Sequence, residues 1–209
     1  MKIRVITPPE EIRGEADKLN ALFAEGLHCL HLRKPEWTQF TVEALLNKIM
    51  PAYWSRIMLH SHFELADKYP VRGFHLPEPY RITLPRQELQ EWLKQWLQPG
   101  KTVSTSVHQP QNLPDLPPGF SEVLVSPVFE SISKAGYGPA ESWNVREIRH
   151  RVPFHLIGLG GMEITRLTDA AQLGFTEIAV LGTLWKEPDQ AVARFRQLQE
   201  TAKALQSGI

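Results

Sequence analysis

The chain has 209 residues, of which 42% are hydrophobic and 22% charged, as is ordinary for a globular protein with a sizeable core. The chain has 23 basic residues (Lys and Arg) and 23 acidic residues (Asp and Glu), so it carries no net charge that would attract nucleic acid or an anionic membrane. A local binding site for an anion is still compatible with this composition. Cys29 is the single cysteine, so no intramolecular disulfide can form and a cysteine-based zinc site is not expected.

The amino terminus, MKIRVITPPEE, becomes polar after one short apolar run, which is not the pattern of a signal peptide. No apolar run approaches the roughly 20 residues that a membrane span needs. We therefore expect a cytoplasmic protein.

Short apolar runs with β-branched residues recur along the chain and predict eight strands. Most of them are nearly continuous in apolar or small residues, which is typical of parallel strands that are covered on both faces. The predicted strands are residues 3–7, 27–33, 56–60, 72–76, 102–107, 122–126, 154–159 and 177–182.

Amphipathic patterns predict helices in most of the intervening segments. Pro85 and Pro188 stand where two of them begin, and Gly26 and Gly174 follow the ends of two others. The predicted helices are residues 11–25, 37–50, 85–97, 162–173 and 188–206. The segment 109–120, QPQNLPDLPPGF, contains four prolines and predicts a surface loop in place of a helix after the fifth strand.

The repeated alternation of strand and helix, without a linker, predicts one (β/α)8 barrel domain over residues 1–209, with a shortened, Pro-rich connection after strand five. An open doubly wound α/β sheet is the alternative. In both folds ligands bind at the carboxyl ends of the strands, so the residues that follow each strand are the candidates for chemistry.

The residues at these strand ends are mostly basic or hydroxyl-bearing, and few are carboxylates. They include Arg33, Lys34, His60, Ser61, His75, Ser106, His108, Ser126, Ser131, Ser133 and Lys134. Such a set suits a phosphorylated small molecule, because Arg and Lys contact oxyanions well. An imidazole at His108 suits proton transfer near neutral pH, although a structural hydrogen bond is an equally simple role for it.

Two glycine turns follow strands seven and eight. The first is in FHLIGLGGME (154–163), with Gly160 and Gly161, and the second is in LGTLW (181–185), with Gly182 and Thr183. In a barrel these two places often form a phosphate site from backbone N–H groups. The alternative is that each glycine only relieves crowding between a strand and the next helix.

Several stretches resemble the superfamily of thiamin phosphate synthase and TenI, which are small TIM barrels. They are LHLRKP (30–35), VSTSVH (103–108), SPVFESISKAGYG (126–138), LIGLGGM (156–162) and GFTEIAVLGTLW (174–185). The resemblance implies a phosphate or diphosphate site built from Gly160, Gly161, Gly182 and Thr183, with contacts from Ser131, Ser133 and Lys134. Arg33 also keeps its place in the pattern after strand two, where it would pair with a substrate carboxylate or help to close the site.

The superfamily contains a Mg²⁺-dependent synthase and a thiazole tautomerase that transfers a proton through a histidine. At the synthase's metal positions this chain has His60-Ser61 after strand three and HLPEPY after strand four, with Tyr80 in place of the acid. Glu64 and Glu78 lie nearby but off the pattern. Both metal carboxylates are therefore missing from the sequence.

The resemblance consequently implies a TenI-like thiazole tautomerase in which His108 is the acid and base and no metal or other cofactor is required. The alternatives are thiamin phosphate synthase with a rebuilt Mg²⁺ site, and a non-catalytic barrel that binds or senses phosphates of the thiamin pathway. Expected ligands are phosphorylated thiazoles or pyrimidines, and the resemblance also makes a homo-oligomer plausible.

Overall fold

Eight short parallel strands close into a barrel in the computed structural model, which describes residues 1–130, 138–139 and 141–207. Each strand pairs with the next along the chain, and the last pairs with the first to close the barrel. They are β1 (Lys2–Ile6), β2 (Leu30–Leu32), β3 (Ile57–Leu59), β4 (Gly73–Leu76), β5 (Thr102–Val107), β6 (Glu122–Val125), β7 (His155–Gly158) and β8 (Glu177–Val180). All eight predicted strands are confirmed, and so is the (β/α)8 fold.

The helices surround the barrel and are mostly shorter than the patterns predict. They are α1 (Glu15–Ala24), α2 (Gln39–Lys48), α3 (Glu78–Arg81), α4 (Arg86–Trp96), α5 (Val145–Ile148), α6 (Leu167–Gln172), α7 (Gly182–Trp185) and α8 (Ala191–Ser207). After β5 there is only a 3₁₀ turn at Pro110–Asn112, which confirms the predicted Pro-rich loop. Among the described residues, no helix is long and apolar enough to cross a membrane.

Local signals in the sequence account for several helix boundaries. Thr38 precedes α2, and its hydroxyl accepts a hydrogen bond from the backbone N–H of Thr41 at 3.3 Å, which satisfies one of the free amides of the first turn. Gly26 follows α1 with a φ of 92°, a left-handed conformation that favours glycine at a helix end. Pro85 immediately precedes α4, where a missing N–H costs no helical hydrogen bond.

The inside of the barrel is divided into an apolar side and a polar side. On the apolar side, the buried side chains of Ile6, Leu124, Ile157 and Ala179 from β1, β6, β7 and β8 pack together. On the polar side, β2 to β5 place imidazoles and hydroxyls in or directly after the strands: His31, His60, His75, Ser104 and Ser106. These imidazoles and hydroxyls therefore face an apolar cluster on the opposite half of the barrel.

A buried ion-pair network crosses the inside of the barrel at the amino ends of the strands. Arg4 is 1% exposed and donates to Glu122 at 2.6 and 2.8 Å and to Glu177 at 2.7 Å. Although burial opposes it, hydrogen bonding from His155, His28 and Arg4 holds the pKa of Glu177 well below its usual range. This network stabilises the end of the barrel opposite the carboxyl ends of the strands.

Candidate active site

His108 lies directly after β5, and its imidazole is paired with the carboxylate of Glu78 at the start of α3. The Nδ1 atom of His108 is hydrogen-bonded to Oε2 of Glu78, and the backbone N–H of His108 donates to the same oxygen at 3.1 Å. Glu78 is buried, whereas the His108 side chain is 38% exposed. The pairing therefore leaves Nε2 of a partly accessible ring as the nitrogen available for reaction.

Further contacts hold Glu78 in place beside β5. Its backbone N–H donates to the hydroxyl of Ser106 at 3.0 Å, and the guanidinium of Arg81 donates to Oε1 at 3.2 Å. Arg81 also donates to the hydroxyl of Thr105 at 3.1 Å and to the carbonyl of Ser106 at 3.3 Å. Because both oxygens of Glu78 are engaged, the carboxylate and the His108 ring keep a fixed relative orientation.

Arg33 and Lys34 follow β2 in sequence but have different environments. The Arg33 backbone is tied to the hydroxyl of Thr7 at 2.8 Å, and its half-buried side chain pairs with no carboxylate among the described residues. Lys34 is fully buried and donates to Glu15 at 2.8 Å and to the carbonyl of Glu10 at 2.7 Å. Arg33 is thus available to an anion, while Lys34, one of the basic strand-end residues, has a structural role.

His31, His60 and His75 bring three imidazoles together at β2, β3 and β4. Nδ1 of His31 lies 2.9 Å from Nε2 of His60, and the His60 and His75 rings stack with centroids 4.1 Å apart. Nδ1 of His75 lies 2.9 Å from the hydroxyl of Ser104. Burial is the largest cause that lowers the pKa of all three rings, that of His75 to about 3, so the rings are neutral at physiological pH.

The Gly160-Gly161 turn follows β7 and packs against the segment after β6. The two residues have φ values of 91° and 63°, and a Cβ atom at Gly161 would lie 2.4 Å from the carbonyl oxygen of Glu130 and 2.7 Å from Cβ of Phe129. Crowding therefore requires glycine here, although the crowding is against the segment after β6 and not against the next helix. Within the described ranges, neither glycine N–H finds an acceptor.

The second turn is joined to the first by a side-chain hydrogen bond. The hydroxyl of Thr183 donates to the backbone carbonyl of Met162, the residue that follows Gly161. Gly182 and Thr183 line a cavity of about 340 Å³ together with Lys186 and Arg194. The structure thus places the two glycine turns side by side at one end of the barrel, as the strand order predicts.

Three predicted phosphate contacts, Ser131, Ser133 and Lys134, lie outside the described residues. The segment before them is described up to Glu130, and Phe129 donates its backbone N–H to the carbonyl of Gly160 at 3.1 Å. The beginning of this loop is therefore anchored to the glycine turn after β7.

The described residues do not fit the Mg²⁺ site that a synthase needs at the ends of β3 and β4. Magnesium prefers hard oxygen ligands in octahedral geometry. The two positions where the synthase pattern has metal carboxylates are Ser61 and Tyr80 in this chain. Neither side chain carries a carboxylate, and Tyr80 is 54% exposed. The oxygens of Glu78 are already bonded to His108 and Arg81, and Glu64 is a half-exposed side chain beside His62.

Sequence reasoning misses the role of Glu78, because it compares this acid only with a metal-binding pattern. A usable signal is its position. Glu78 follows β4 and His108 follows β5, and these neighbouring strands pair in parallel with Leu76 opposite Thr105. Residues just beyond such paired ends lie close together, so an acid and a histidine there predict a hydrogen-bonded pair.

Comparisons with known proteins agree with this fold. The family model described as thiamine monophosphate synthase matches residues 3–184. A thiamine-phosphate synthase of Methanospirillum hungatei is 37% identical over 76 residues, which are 36% of this chain and 37% of that relative. The chain thus aligns with little more than a third of the length of this curated relative.

Two solved structures are similar over nearly the whole chain. Thiamine phosphate pyrophosphorylase from Bacteroides thetaiotaomicron is 27% identical with a TM-score of 0.75, covering 97% of this chain and 98% of that one. Thiamine phosphate pyrophosphorylase from Pyrococcus furiosus is 14% identical with a TM-score of 0.71, covering 97% of this chain and 96% of that one. At this identity the likeness supports only the shared fold.

The fold and the strand-end site define an enzyme-type (β/α)8 barrel with its chemistry at the carboxyl ends of the strands. Within that class, the chain belongs to the family of thiamine monophosphate synthase and TenI. The family match indicates an enzyme.

Proposed function

We propose that this protein is an isomerase of the TenI type, which aromatises a phosphorylated thiazole carboxylate by proton transfer. The observation that carries the proposal is the His108–Glu78 pair at the carboxyl ends of β4 and β5. A partly exposed imidazole oriented by a buried carboxylate is the arrangement that general acid and base catalysis requires.

In the proposed mechanism Glu78 sets the tautomer of His108. With Nδ1–H donated to the carboxylate, Nε2 carries the lone pair and accepts a proton from the non-aromatic thiazole ring. The carboxylate stabilises the imidazolium that forms. His108 then returns a proton to the carbon outside the ring as the double bond moves into the ring. One C–H bond breaks and another forms, so the step needs no oxidant or leaving group.

Substrate binding is assigned to the remaining strand-end groups. The backbone N–H groups of Gly160 and Gly161, which have no acceptor among the described residues, are proposed to hold the phosphate together with Gly182 and Thr183 beside them. Arg33, which has no carboxylate partner in the described part of the chain, is proposed to pair with the substrate carboxylate. Ser131, Ser133 and Lys134 remain predicted phosphate contacts.

A second candidate function is that of thiamine phosphate synthase, which joins a pyrimidine diphosphate to a thiazole phosphate. It is favoured by the description of the family as thiamine monophosphate synthase and by the 27% identity to the Bacteroides pyrophosphorylase over 97% of the chain. It requires oxygen ligands for Mg²⁺, and the misfit at Ser61 and Tyr80 counts against it.

A paired assay distinguishes the candidates. The purified protein is incubated with the thiazole tautomer, and separately with the two synthase precursors, each with Mg²⁺ and with EDTA. We expect aromatisation that is insensitive to EDTA and at least about 10²-fold slower for His108→Gln. The matched control is His150→Gln, which replaces an exposed histidine and should keep the wild-type rate.

Three results would contradict the proposal. Aromatisation no faster than in buffer excludes the isomerase, as does a His108→Gln rate equal to wild type. Mg²⁺-dependent formation of thiamine phosphate from both precursors identifies the synthase. Saturable binding of the phosphorylated ligands without turnover of either substrate set identifies a binding protein.

A further inference from the structure

We propose that His31, His60 and His75 form a binding site for one divalent transition metal ion of the Zn²⁺ class, with its fourth coordination position facing the strand-end mouth. This site is separate from the His108–Glu78 pair and does not depend on the proposed isomerase activity. It also differs from an oxygen-ligand magnesium site in its donor atoms. Among the described residues, this is the single group of three such side chains close enough to share one ion.

The geometry of the three rings is close to that of a metal site. One nitrogen from each ring lies within 4.8 Å of the others, and the His31 and His60 nitrogens are 2.9 Å apart. Zn–N bonds of about 2.0–2.1 Å in a tetrahedron place ligand nitrogens roughly 3.3 Å apart. Ring rotations that move the nitrogens by about 1–1.5 Å would therefore complete the site, with no change in the barrel backbone.

The donor atoms suit a borderline transition metal. Imidazole nitrogen binds Zn²⁺, Co²⁺, Ni²⁺ and Cu²⁺, whereas Mg²⁺ requires oxygen. His31 is 0% exposed, and its Nδ1 lies 2.9 Å from Nε2 of His60, so the buried ring presents that nitrogen to the group.

The contact between His75 and Ser104 resembles the hydrogen bonds that orient histidine ligands in known metal sites. Histidine ligands usually hydrogen-bond a second group through the ring nitrogen that does not bind the metal. Nδ1 of His75 is 2.9 Å from the buried hydroxyl of Ser104, which leaves Nε2 as the ligand atom. The ligands come from three consecutive barrel strands, whose rigidity favours a preorganised site.

The local charge defines the fourth ligand. Arg33 follows β2 and acts electrostatically on His60 and His75, and its side chain has no carboxylate partner in the described residues. Arg4, which is also near His31, is neutralised by Glu122 and Glu177. Three neutral imidazoles leave the charge of the ion uncompensated, so we assign the open position to an anionic oxygen, from hydroxide or from a ligand oxyanion that Arg33 also contacts. His60 is only partly buried, so that position is accessible.

Metal content and spectroscopy test the site without reference to turnover. Full-length protein is stripped with a chelator, dialysed against Zn²⁺ or Co²⁺, and analysed by elemental mass spectrometry. We expect one equivalent of either ion, and visible d–d absorption from four-coordinate Co²⁺. Crystals soaked in Zn²⁺ should show one anomalous peak at about 2.0–2.1 Å from a nitrogen of each of the three rings.

Variants separate this site from surface binding. His60→Asn and His75→Asn should each weaken Zn²⁺ affinity by more than the roughly 10–100-fold expected for Ser104→Ala, which removes only the outer hydrogen bond. The matched control is His62→Asn, because His62 lies outside the group and its φ of 52° is tolerated by asparagine. It should bind Zn²⁺ as the wild type does.

Two of the three outcomes that would overturn the proposal need only the wild-type protein. Stripped wild-type protein that takes up no stoichiometric Zn²⁺ contradicts it. So does an anomalous peak elsewhere, for example at His28 and His155. Equal uptake by wild type and by folded His60→Asn also contradicts it.

Discussion

Replacing Glu78 by glutamine tests whether this carboxylate acts on catalysis through His108. Glutamine keeps the side-chain size, and with its one oxygen toward His108 it can still accept from the His108 backbone N–H, while its amide nitrogen replaces the oxygen that accepts from Arg81. It removes the negative charge that faces the ring. The imidazolium that forms during proton transfer therefore loses a charge-assisted hydrogen bond.

The size of the effect follows from that single bond. A hydrogen bond to a charged group contributes about 1.5–3 kcal/mol. At about 1.36 kcal/mol for each tenfold change in rate, Glu78→Gln should lower kcat by about 10–10²-fold. The KM should change little, because no substrate contact is assigned to Glu78.

The assay is steady-state aromatisation of the thiazole tautomer by wild type, Glu78→Gln, His108→Gln and the double variant. Because Glu78 acts through His108, the double variant should be no slower than His108→Gln alone. Exposed Glu88→Gln on α4 is the matched control. A wild-type kcat for Glu78→Gln, or losses that simply multiply in the double variant, would refute the pairing as the catalytic device.

Three further predictions concern stability. Arg4→Met removes the buried cation that Glu122 and Glu177 share and leaves them only Arg72, His28 and His155 as partners, so it should lower the free energy of unfolding by up to about 3–5 kcal/mol, measured by urea titration. A loss below about 1 kcal/mol would contradict the buried network. Because the pKa of Glu177 is lowered on folding, its contribution is complete above about pH 4.5 and declines as the pH falls further. Urea titrations at successive pH values should show that decline, and Arg4→Met should make it shallower. Gly161→Ala should lower the free energy of unfolding by about 1–3 kcal/mol more than Gly100→Ala. Both glycines have a positive φ, but of the two only Gly161 is crowded by neighbouring atoms. Equal losses in the two variants would disprove crowding at the turn.

The barrel could be predicted from the sequence because its strands are buried on both faces. Runs such as EVLVS at 122–126 are recognisable for that reason, and their regular spacing gives the strand order. The short helices α3 and α5 could not be predicted, because four residues are too few to show a helical period. The predicted helices are longer than the observed ones partly because 3₁₀ turns such as Ile164–Arg166 continue the apolar pattern of the helix that follows.

The site was predictable only in part, because strands buried on both faces do not reveal which residues point inward. In LHL at 30–32, two leucines flank His31, and the pattern does not say that the ring lies inside the barrel. The meeting of His31 with His60 depends on the register of β2 and β3. The Glu78–His108 contact likewise depends on strand pairing, which single-sequence patterns do not determine.

Chemical rescue of His108→Gly tests the proposed proton transfer most directly. The variant retains the glycine turns and Arg33, so it should bind the phosphorylated thiazole but aromatise it at least about 10²-fold more slowly than wild type. Added imidazole should then restore the rate in proportion to its concentration, with no effect on wild type. A variant that keeps the wild-type rate, or one that binds substrate and gains nothing from imidazole, would contradict the role of His108.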